Sequence, residues 1–313
     1  MKGGLVNLGS TCAANSLVQM ICRNSQLRNI IMTSNCQKDS FTCELKEMFD
    51  LLFFQKKSLS PKKFINSLYT EFSNFFYRGE QIDIGELWMC IHDKVCKEQG
   101  EKVYIEECKC PDFHDTENVA KYEKYIINKY NQHLNSQWCD VSQGIILNVI
   151  KCETCNNITF NFEPFISIPL DICDNTDISS MLRDYLKSST SKGDWKCDKC
   201  NDCTQYTKKL QLWKLPKVLV FHIKRFNNHI SKNTTPINIP ESFQIKSNQN
   251  LVKYQLSSMA LHYGNLNKGH YISICKDEQK YMLYDDINVV KIDKQCLKNN
   301  KEVYILMYNQ ATN

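Results

Sequence analysis

Two CxxC pairs, Cys152-Glu-Thr-Cys155 and Cys197-Asp-Lys-Cys200, set the strongest constraint on how this chain can fold. Each pair is a knuckle that puts two thiolates on one side of a tight turn. Two knuckles brought together make the tetrahedral four-sulfur shell that Zn2+ favours. The pairs are separated by 41 residues, so the fold has to bring distant turns together. Neither pair follows a strand and opens a helix, as a thioredoxin-type motif would. Four protein ligands leave no open position, so a zinc held here is structural. Cys203 lies three residues past Cys200 and could replace a ligand. The alternative to a metal site is a set of reduced surface thiols.

These four belong to 17 Cys in 313 residues. A chain this long buries most of its apolar surface and needs no disulfides to stay folded, which excludes a small stapled scaffold. An odd number also cannot pair completely. Met1 to Cys12 holds no basic-then-apolar signal segment, and neither end carries a lipidation motif. No stretch reaches the ~18 consecutive apolar residues of a membrane span. We therefore expect a soluble, monomeric protein of the cytoplasm or nucleus, with no membrane partner. Its cysteines outside functional sites are then free thiols. Cys22, Cys36, Cys43, Cys90, Cys96 and Cys296 read as small buried hydrophobes. With 39 Lys+Arg against 34 Asp+Glu the net charge is +5. That balance argues against a nucleic-acid binder that works by charge alone. A composition of 23% charged and 42% hydrophobic is globular, not disordered.

The chain changes texture near residue 140. Before it, Ser10 and Thr11 are N-cap types ahead of a periodic set, Leu17, Val18 and Ile21. Cys43 to Phe54 and Pro61 to Phe76 also read as helices, the second opened by its proline. Asp83-Ile-Gly-Glu86 resembles a capping box opening a helix that runs to about Cys96. After residue 140 come strands: Gln143 to Ile150, Asn157 to Ile172, Tyr206 to Trp213, Val218 to Ile223, Tyr254 to His262, Gly269 to Cys275, Tyr281 to Tyr284 and Val303 to Tyr308. Helices first and a largely antiparallel sheet after make an α+β fold. Residues 97 to 142 are the least readable stretch.

Asn7-Leu-Gly9-Ser-Thr-Cys12 places a cysteine in the first turn of a helix, after a glycine that lets the backbone turn sharply. Free N–H groups and the positive end of the dipole favour a thiolate there. The Asn7 amide could turn back to meet a developing oxyanion. Packing is the competing reading of a cysteine near a helix start. A thiolate nucleophile also needs a base held by a third group. His92, His114, His133 and His229 carry no second feature, and His222 reads as a satisfied core histidine. His270 follows the Gly-bounded loop Gly264 to Gly269 and opens a strand. Asp285 and Asp286 end the next strand, where a neighbouring antiparallel pairing brings an Asp beside the His. A turn is the other reading of that Asp pair.

These residues carry a family resemblance. Gly4-Leu-Val-Asn7-Leu-Gly9-Ser-Thr-Cys12-Ala-Ala-Asn15-Ser16-Leu-Val-Gln19 resembles the Cys box of the ubiquitin-specific proteases, and Tyr254 to Asp286 resembles their His box. Gln81-Ile-Asp83-Ile-Gly-Glu86-Leu is similar to the family's Gln-Gln-Asp-x-x-Glu box. Leu215-Pro216 to Phe226 is similar to its Leu-Pro…Lys-Arg-Phe strand. The CxxC pairs match its zinc-binding fingers.

The resemblance implies a papain-like cysteine protease fold in a single catalytic domain, 1–313. Its thumb would be 1–140, its fingers 141–214 and its palm 215–313. It implies a deubiquitinase that hydrolyses the bond after the C-terminal glycine of ubiquitin. Cys12 would be the nucleophile, His270 the base, Asp285 the orienting acid and Asn7 an oxyanion donor. Asp286 would share or assume the role of Asp285. Asp83 and Glu86 would grip the ubiquitin tail, while His262 and Tyr271 line its channel. Cys152, Cys155, Cys197 and Cys200 would hold one structural Zn2+. Other readings are an inactive ubiquitin-binding relative, a protease for a ubiquitin-like modifier and a zinc-ribbon binding module. Ala13 and Ala14 stand where the family has an aromatic residue and its neighbour, Ile82 replaces the second Gln, and Gly85 interrupts its helix. Gly85 weakens that helix by up to ~1 kcal/mol.

Overall fold

A computed structural model describes residues 3–172, 177–227, 231–247, 250–265 and 268–311. The first helix, α1 (Cys12–Arg23), is buried from Cys12 through Cys22. The rest of the helical part covers it together with the larger sheet, and its buried polar side chains Asn15 and Gln19 donate to Asp286 and to the Gly3 carbonyl. The following helices are α2 (Ser25–Thr33), α3 (Phe41–Phe49), α4 (Lys62–Glu71) and α5 (Ile84–Gln99). After the short strand β1 (Glu101–Lys102) come α6 (Thr116–Tyr130), β2 (Leu134–Asn135), which pairs with β1, and α7 (Gln137–Ser142). Asn24, Ser40, Asp83, Asp115 and Ser136 cap α2, α3, α5, α6 and α7 with their side-chain oxygens. This is the usual way to satisfy the free N–H groups of a first turn.

Two helices end earlier than their patterns suggest. The segment expected to run to Phe54 is α-helical only to Phe49 and closes in a π-helical turn, Asp50–Phe54. The segment expected to reach Phe76 stops at Glu71. There the Phe75 and Phe76 amides turn onto the Phe72 carbonyl, so that Phe72 and Phe76 both bury their rings.

The smaller sheet explains how the CxxC pairs meet. β3 (Gly144–Cys152) turns into β4 (Ile158–Phe165) through the first knuckle. The chain then passes through β5 (Ile168–Asp171) and α8 (Ile178–Tyr185). β6 (Ser189–Cys197) turns into β7 (Asp202–Lys214) through the second knuckle. The order is β4-β3-β7-β6, all antiparallel. Pairing of β3 with β7 sets Cys152 opposite Tyr206 and so aligns the two turns. Asn156 and Asn201, each just after the second cysteine of its knuckle, take φ of +57° and +55°. Asparagine tolerates that left-handed backbone better than most residues.

The larger sheet is built from β5, β8 (Val218–Lys224), β11 (Ser242–Ser247), β12 (Asn250–Gly264), β13 (Gly269–Asp277), β14 (Lys280–Asp285), β15 (Asn288–Ile292) and β16 (Val303–Gln310). A two-strand ribbon of β9 (Phe226–Asn227) and β10 (Ser231–Lys232) follows β8. The order is β15-β14-β13-β12-β16-β8-β5, with β11 also on β12. Only the β5–β8 pairing is parallel. The expected boundary of the finger segment at 214 is therefore crossed, because β5 belongs to the larger sheet. Buried Arg225 donates to the carbonyls of Val303, Asn233, Thr235 and Asn300, fastening the end of β8 to the loop before β16.

One expectation about the cysteines needs correcting. Cys96 and Cys139, taken as free thiols, form a disulfide between α5 and α7, with Cα atoms 6.4 Å apart. The Trp88 and Trp138 rings, 6.1 Å apart, seat the two helices against each other. That docking has no signature in residues 97–142.

Candidate active site

The loop before Cys12 is organised by one side chain. Gly9 and Ser10 take φ of +96° and +54°, which reverses the chain. Asn7 Oδ1 accepts from Gly9 N at 3.0 Å, Thr11 N at 3.3 Å and Thr11 Oγ1 at 3.2 Å. Thr11 itself accepts from Leu8 N at 2.9 Å and does not cap α1 with its side chain. The Asn7 amide donates to Asp286 Oδ2 at 2.9 Å. Asn15, one turn beyond Cys12, donates to Asp286 Oδ1 at 2.7 Å. Asp286 is thus held between two amides that flank Cys12 in sequence, and its backbone stands at φ +50°.

His270 opens β13 and Asp285 ends β14, and the pairing of these strands brings the side chains together. His270 Nε2 and Asp285 Oδ1 are 2.7 Å apart. Asp286, next in the chain, is taken up by Asn7 and Asn15 and makes no hydrogen bond to His270 among the described residues.

Cys12 is only 5% exposed. Burial pushes its thiol above the usual range, the Tyr271 backbone N–H pulls it down and the Asp286 charge raises it again. The helix start was expected to favour a thiolate; desolvation outweighs it here. No hydrogen bond joins Cys12 to His270 among the described residues. The resting site is thus a neutral, buried thiol beside a formed His–Asp pair.

An aromatic group lies next to this pair. The His262 ring is 4.6 Å from that of Tyr271, 5.4 Å from Phe226 and 5.9 Å from Tyr304. Burial pushes His262 down to about 4, so its imidazole is neutral. A Cβ on Gly269 would stand 2.1 Å from His262 Nε2, so the backbone lies directly on that ring. Lys232 Nζ bonds both the His262 carbonyl and the Glu302 carboxylate.

Asp83 uses both its oxygens. Oδ1 accepts from Gly85 N at 2.8 Å and Glu86 N at 2.9 Å, and Oδ2 accepts from Tyr304 Oη at 2.6 Å. A Cβ on Gly85 would be 3.0 Å from Asp83 Oδ1, so the glycine inside this helix makes room for the cap. Glu86 is exposed; partial burial and then the Asp83 charge raise its carboxyl above the usual range. Ala13 and Ala14 are fully buried in the core, so the small residues after Cys12 are packed away from solvent.

The sulfurs of Cys152, Cys155, Cys197 and Cys200 all lie within 4.8 Å of one another. Cys152 Sγ is 3.9 Å from Cys200 Sγ, and Cys155 Sγ is 3.7 Å from Cys197 Sγ. Tetrahedral zinc with Zn–S of about 2.3 Å requires sulfurs about 3.8 Å apart, so this cluster meets the geometry of a zinc site. The side chain of Cys203 lies outside the described residues, as do His229 and, within the Gly264 to Gly269 loop, Leu266 and Asn267. His222 is half-buried and its Nε2 has no hydrogen-bond partner among the described residues, unlike the satisfied histidine expected. Asn15, Gln81 and Tyr304 were not picked out as site residues. Asn15 had a usable signal, since three residues past Cys12 is the same helix face; Tyr304 had none.

Residues 3–308 match the family model described as ubiquitin carboxyl-terminal hydrolase. The chain belongs to that family. It is a cysteine-type deubiquitinating peptidase. Ubiquitin carboxyl-terminal hydrolase 12 of Salmo salar is 27% identical over 343 aligned positions, spanning 97% of this chain and 88% of that protein. A yeast SAGA DUBm structure with mutant Sgf73 aligns at TM-score 0.77 and 24% identity, covering 99% of this chain and 68% of that one. A SAGA DUB module of Ubp8, Sgf11, Sus1 and Sgf73 bound to monoubiquitin aligns at TM-score 0.75 and 23% identity, covering 99% and 69%. The hydrolase fold is therefore the expected α+β, papain-like arrangement of helical thumb, palm and fingers. No helix among the described residues is long and apolar enough to cross a membrane.

Proposed function

We propose that this hydrolase cleaves the peptide or isopeptide bond after the C-terminal glycine of ubiquitin, with Cys12, His270 and Asp285 as its triad. The observation that carries the reading is the 2.7 Å contact between His270 Nε2 and Asp285. A carboxylate on Nε2 fixes the tautomer and leaves Nδ1 as the nitrogen that exchanges protons with the thiol. The resting thiol is neutral, so entry of the ubiquitin tail has to bring Sγ and the imidazole together. Cys12 Sγ then attacks the glycine carbonyl as its proton passes to His270. Backbone N–H groups near Cys12, and the second N–H of the Asn7 amide, meet the oxyanion. His270 protonates the departing lysine amine, and a water activated by the same nitrogen releases ubiquitin from the thioester.

The neighbouring residues take distinct parts in this reading. Asp286 anchors the Asn7 loop and does not orient His270. Exposed Glu86 meets the arginine-bearing tail, and Asp83 acts through the cap and Tyr304. The backbone of Gly269 on His262, with Tyr271, keeps the channel too narrow for side chains, which supports a Gly-Gly requirement. Cys152, Cys155, Cys197 and Cys200 hold one structural Zn2+ at the tip of the finger sheet. Thumb, fingers and palm divide near residues 140 and 214, with β5 assigned to the palm. We place the protein in the cytoplasm or nucleus, where cysteines are kept mostly as thiols and metal ligands.

A ubiquitin bearing a C-terminal electrophile tests the reading. We expect a single adduct on Cys12, and no hydrolysis by Cys12→Ser, which still binds ubiquitin. Labelling elsewhere, or turnover by Cys12→Ser, removes Cys12 as the nucleophile. Probes built on ubiquitin-like modifiers, run in parallel, decide which modifier is preferred.

A further inference from the structure

Outside the active site, three chemically active side chains meet between α5 and α7. His92 and Cys96 are four residues apart on α5 and share one face. Cys139 comes from the first turn of α7, next to Trp138, which packs on Trp88. The three are 6%, 8% and 6% exposed, and their N and S atoms lie within 4.8 Å of one another. Cys96 Sγ is 3.8 Å from His92 Nδ1 and has Cys139 as its disulfide partner. The Cα separation of 6.4 Å falls in the range that a disulfide spans without backbone movement. Helix packing therefore leaves the two sulfurs as neighbours whether or not they are bonded.

Two cavities open onto this group. One, about 370 Å3, is lined by His92, Cys96, Cys139, Tyr130 and Gln132. The other, about 250 Å3, lies on the α6 side and is lined by Cys139, Asn128, Asn131 and Asp140. Cys139 faces both and Cys96 only the first, so a small reagent reaches Cys139 by two routes. Cys22 is the contrast: it is fully buried in the helical core, and its thiol is pushed up to about 11 by burial. Buried thiols of that kind are inert.

We propose that Cys96 and Cys139 are a reversible redox site, oxidised by hydroperoxides and reduced by small thiols. In the oxidising direction the Cys139 sulfur attacks the terminal oxygen of the hydroperoxide. The O–O bond breaks, giving a sulfenic acid on Cys139 and an alcohol, or water when the oxidant is hydrogen peroxide. The Cys96 sulfur then attacks the Cys139 sulfur. The S–O bond breaks, and the hydroxyl leaves with the Cys96 proton as water. Two electrons from the thiol pair have reduced one peroxide. Neutral His92, pushed down to about 4 by burial, accepts a hydrogen bond from the Cys96 thiol and relays its proton. In the return direction two small thiols supply the electrons and leave as their own disulfide.

The bond joins α5 to α7. α5 carries the Asp83 cap and Glu86 at its first turn, and α7 ends just before β3, the root of the finger sheet. Oxidation adds a covalent tie between the cleft helix and that root; reduction leaves the Trp88–Trp138 packing to hold them. The catalytic consequence rests on the proposed ubiquitin cleft, whereas the redox site does not.

Peptide mapping of the full zinc-loaded chain tests the redox site without reference to activity. The protein is reduced, freed of reductant, exposed to graded hydrogen peroxide, then denatured and alkylated. We expect a Cys96–Cys139 linked peptide at peroxide doses that leave Cys22 alkylatable, and its loss on adding glutathione. A lower Tm should accompany reduction in the wild type and be absent between the same conditions in Cys139→Ala. Full alkylation of both cysteines after peroxide would overturn the proposal. So would a linked peptide that glutathione leaves unchanged, or a zinc ion in the reduced protein that Cys96→Ala or Cys139→Ala loses. If the linked peptide responds as expected while the ubiquitin electrophile fails to label Cys12, the redox site stands and the cleft reading falls.

Discussion

Gln81 and Gly269 hold each other across the cleft by two hydrogen bonds. Gly269 N donates to Gln81 Oε1 at 3.0 Å, and Gln81 Nε2 donates to Gly269 O at 2.8 Å. Gln81 stands just ahead of the cap of α5, and Gly269 just ahead of His270. One side chain thus sets the distance between the start of α5 and the strand that carries His270. Both bonds are at the surface, so each adds stability at the low end of ~0.5–1.5 kcal/mol. We expect Gln81→Ala to lower kcat/KM on a fluorogenic ubiquitin substrate by roughly 10-fold, about 1.4 kcal/mol of transition-state stabilisation. Its Tm should change little. A large Tm loss with unchanged kcat/KM would make the pair structural only.

Asn15 offers a separate test of the Asp286 anchor. Removing its amide leaves the Asp286 carboxylate with Asn7 as its side-chain donor among the described residues, still beside the Cys12 thiol. We expect Asn15→Ala to reduce kcat more than KM, by about 10-fold, and to slow alkylation of Cys12. Asp286→Asn removes a charge that raises the Cys12 thiol. In that variant, alkylation of Cys12 by iodoacetamide near neutral pH should quicken even where turnover falls.

Acid sensitivity follows from two buried histidines. Burial holds His92 and His262 at about 4, below their ordinary 6.5. The unfolded chain therefore takes up protons first as pH falls. Stability from these groups is full above 6.5 and is lost progressively down to about 4, by roughly 3 kcal/mol for each. Urea midpoints across that window should fall with pH, and His92→Gln should flatten the fall.

The metal cluster predicts one equivalent of zinc per chain by elemental analysis. Cys155→Ser or Cys200→Ser should lower zinc content and Tm together, while the 2.7 Å His270–Asp285 contact is left in place. Chelation should then slow turnover through ubiquitin affinity, seen as a raised KM with kcat retained. A metal-free protein of unchanged Tm would show that the four thiols need no ion.

How much was legible in the chain depends on where each signal was stored. Cys12, His270, Asp285 and the CxxC pairs each sit at a local feature, a helix start, a strand start or a turn, and the structure brings them to the places described. β6 was not legible because Ser189–Cys197 is polar on both faces; it forms by pairing with β7 and ends at its knuckle. The bond between Asn15 and Asp286 joins residues 271 apart and leaves no periodic trace. The Cys96–Cys139 bond was misread for a similar reason. Its second half lies on a six-residue helix in the least patterned stretch, and only the meeting of Trp88 with Trp138 places it.

β16 is the last strand of the larger sheet to be synthesised, yet it lies in the middle, between β12 and β8. On the ribosome, Cys12 emerges hundreds of residues before the strand that joins these two halves. Until β16 inserts, β12 and the His270 strand beside it have no fixed position relative to β8. While the chain up to β16 is being made, the nascent hydrolase has Cys12 without His270 and Asp285 set in a closed sheet. It is silent toward the ubiquitin conjugates around it until the sheet is closed from within.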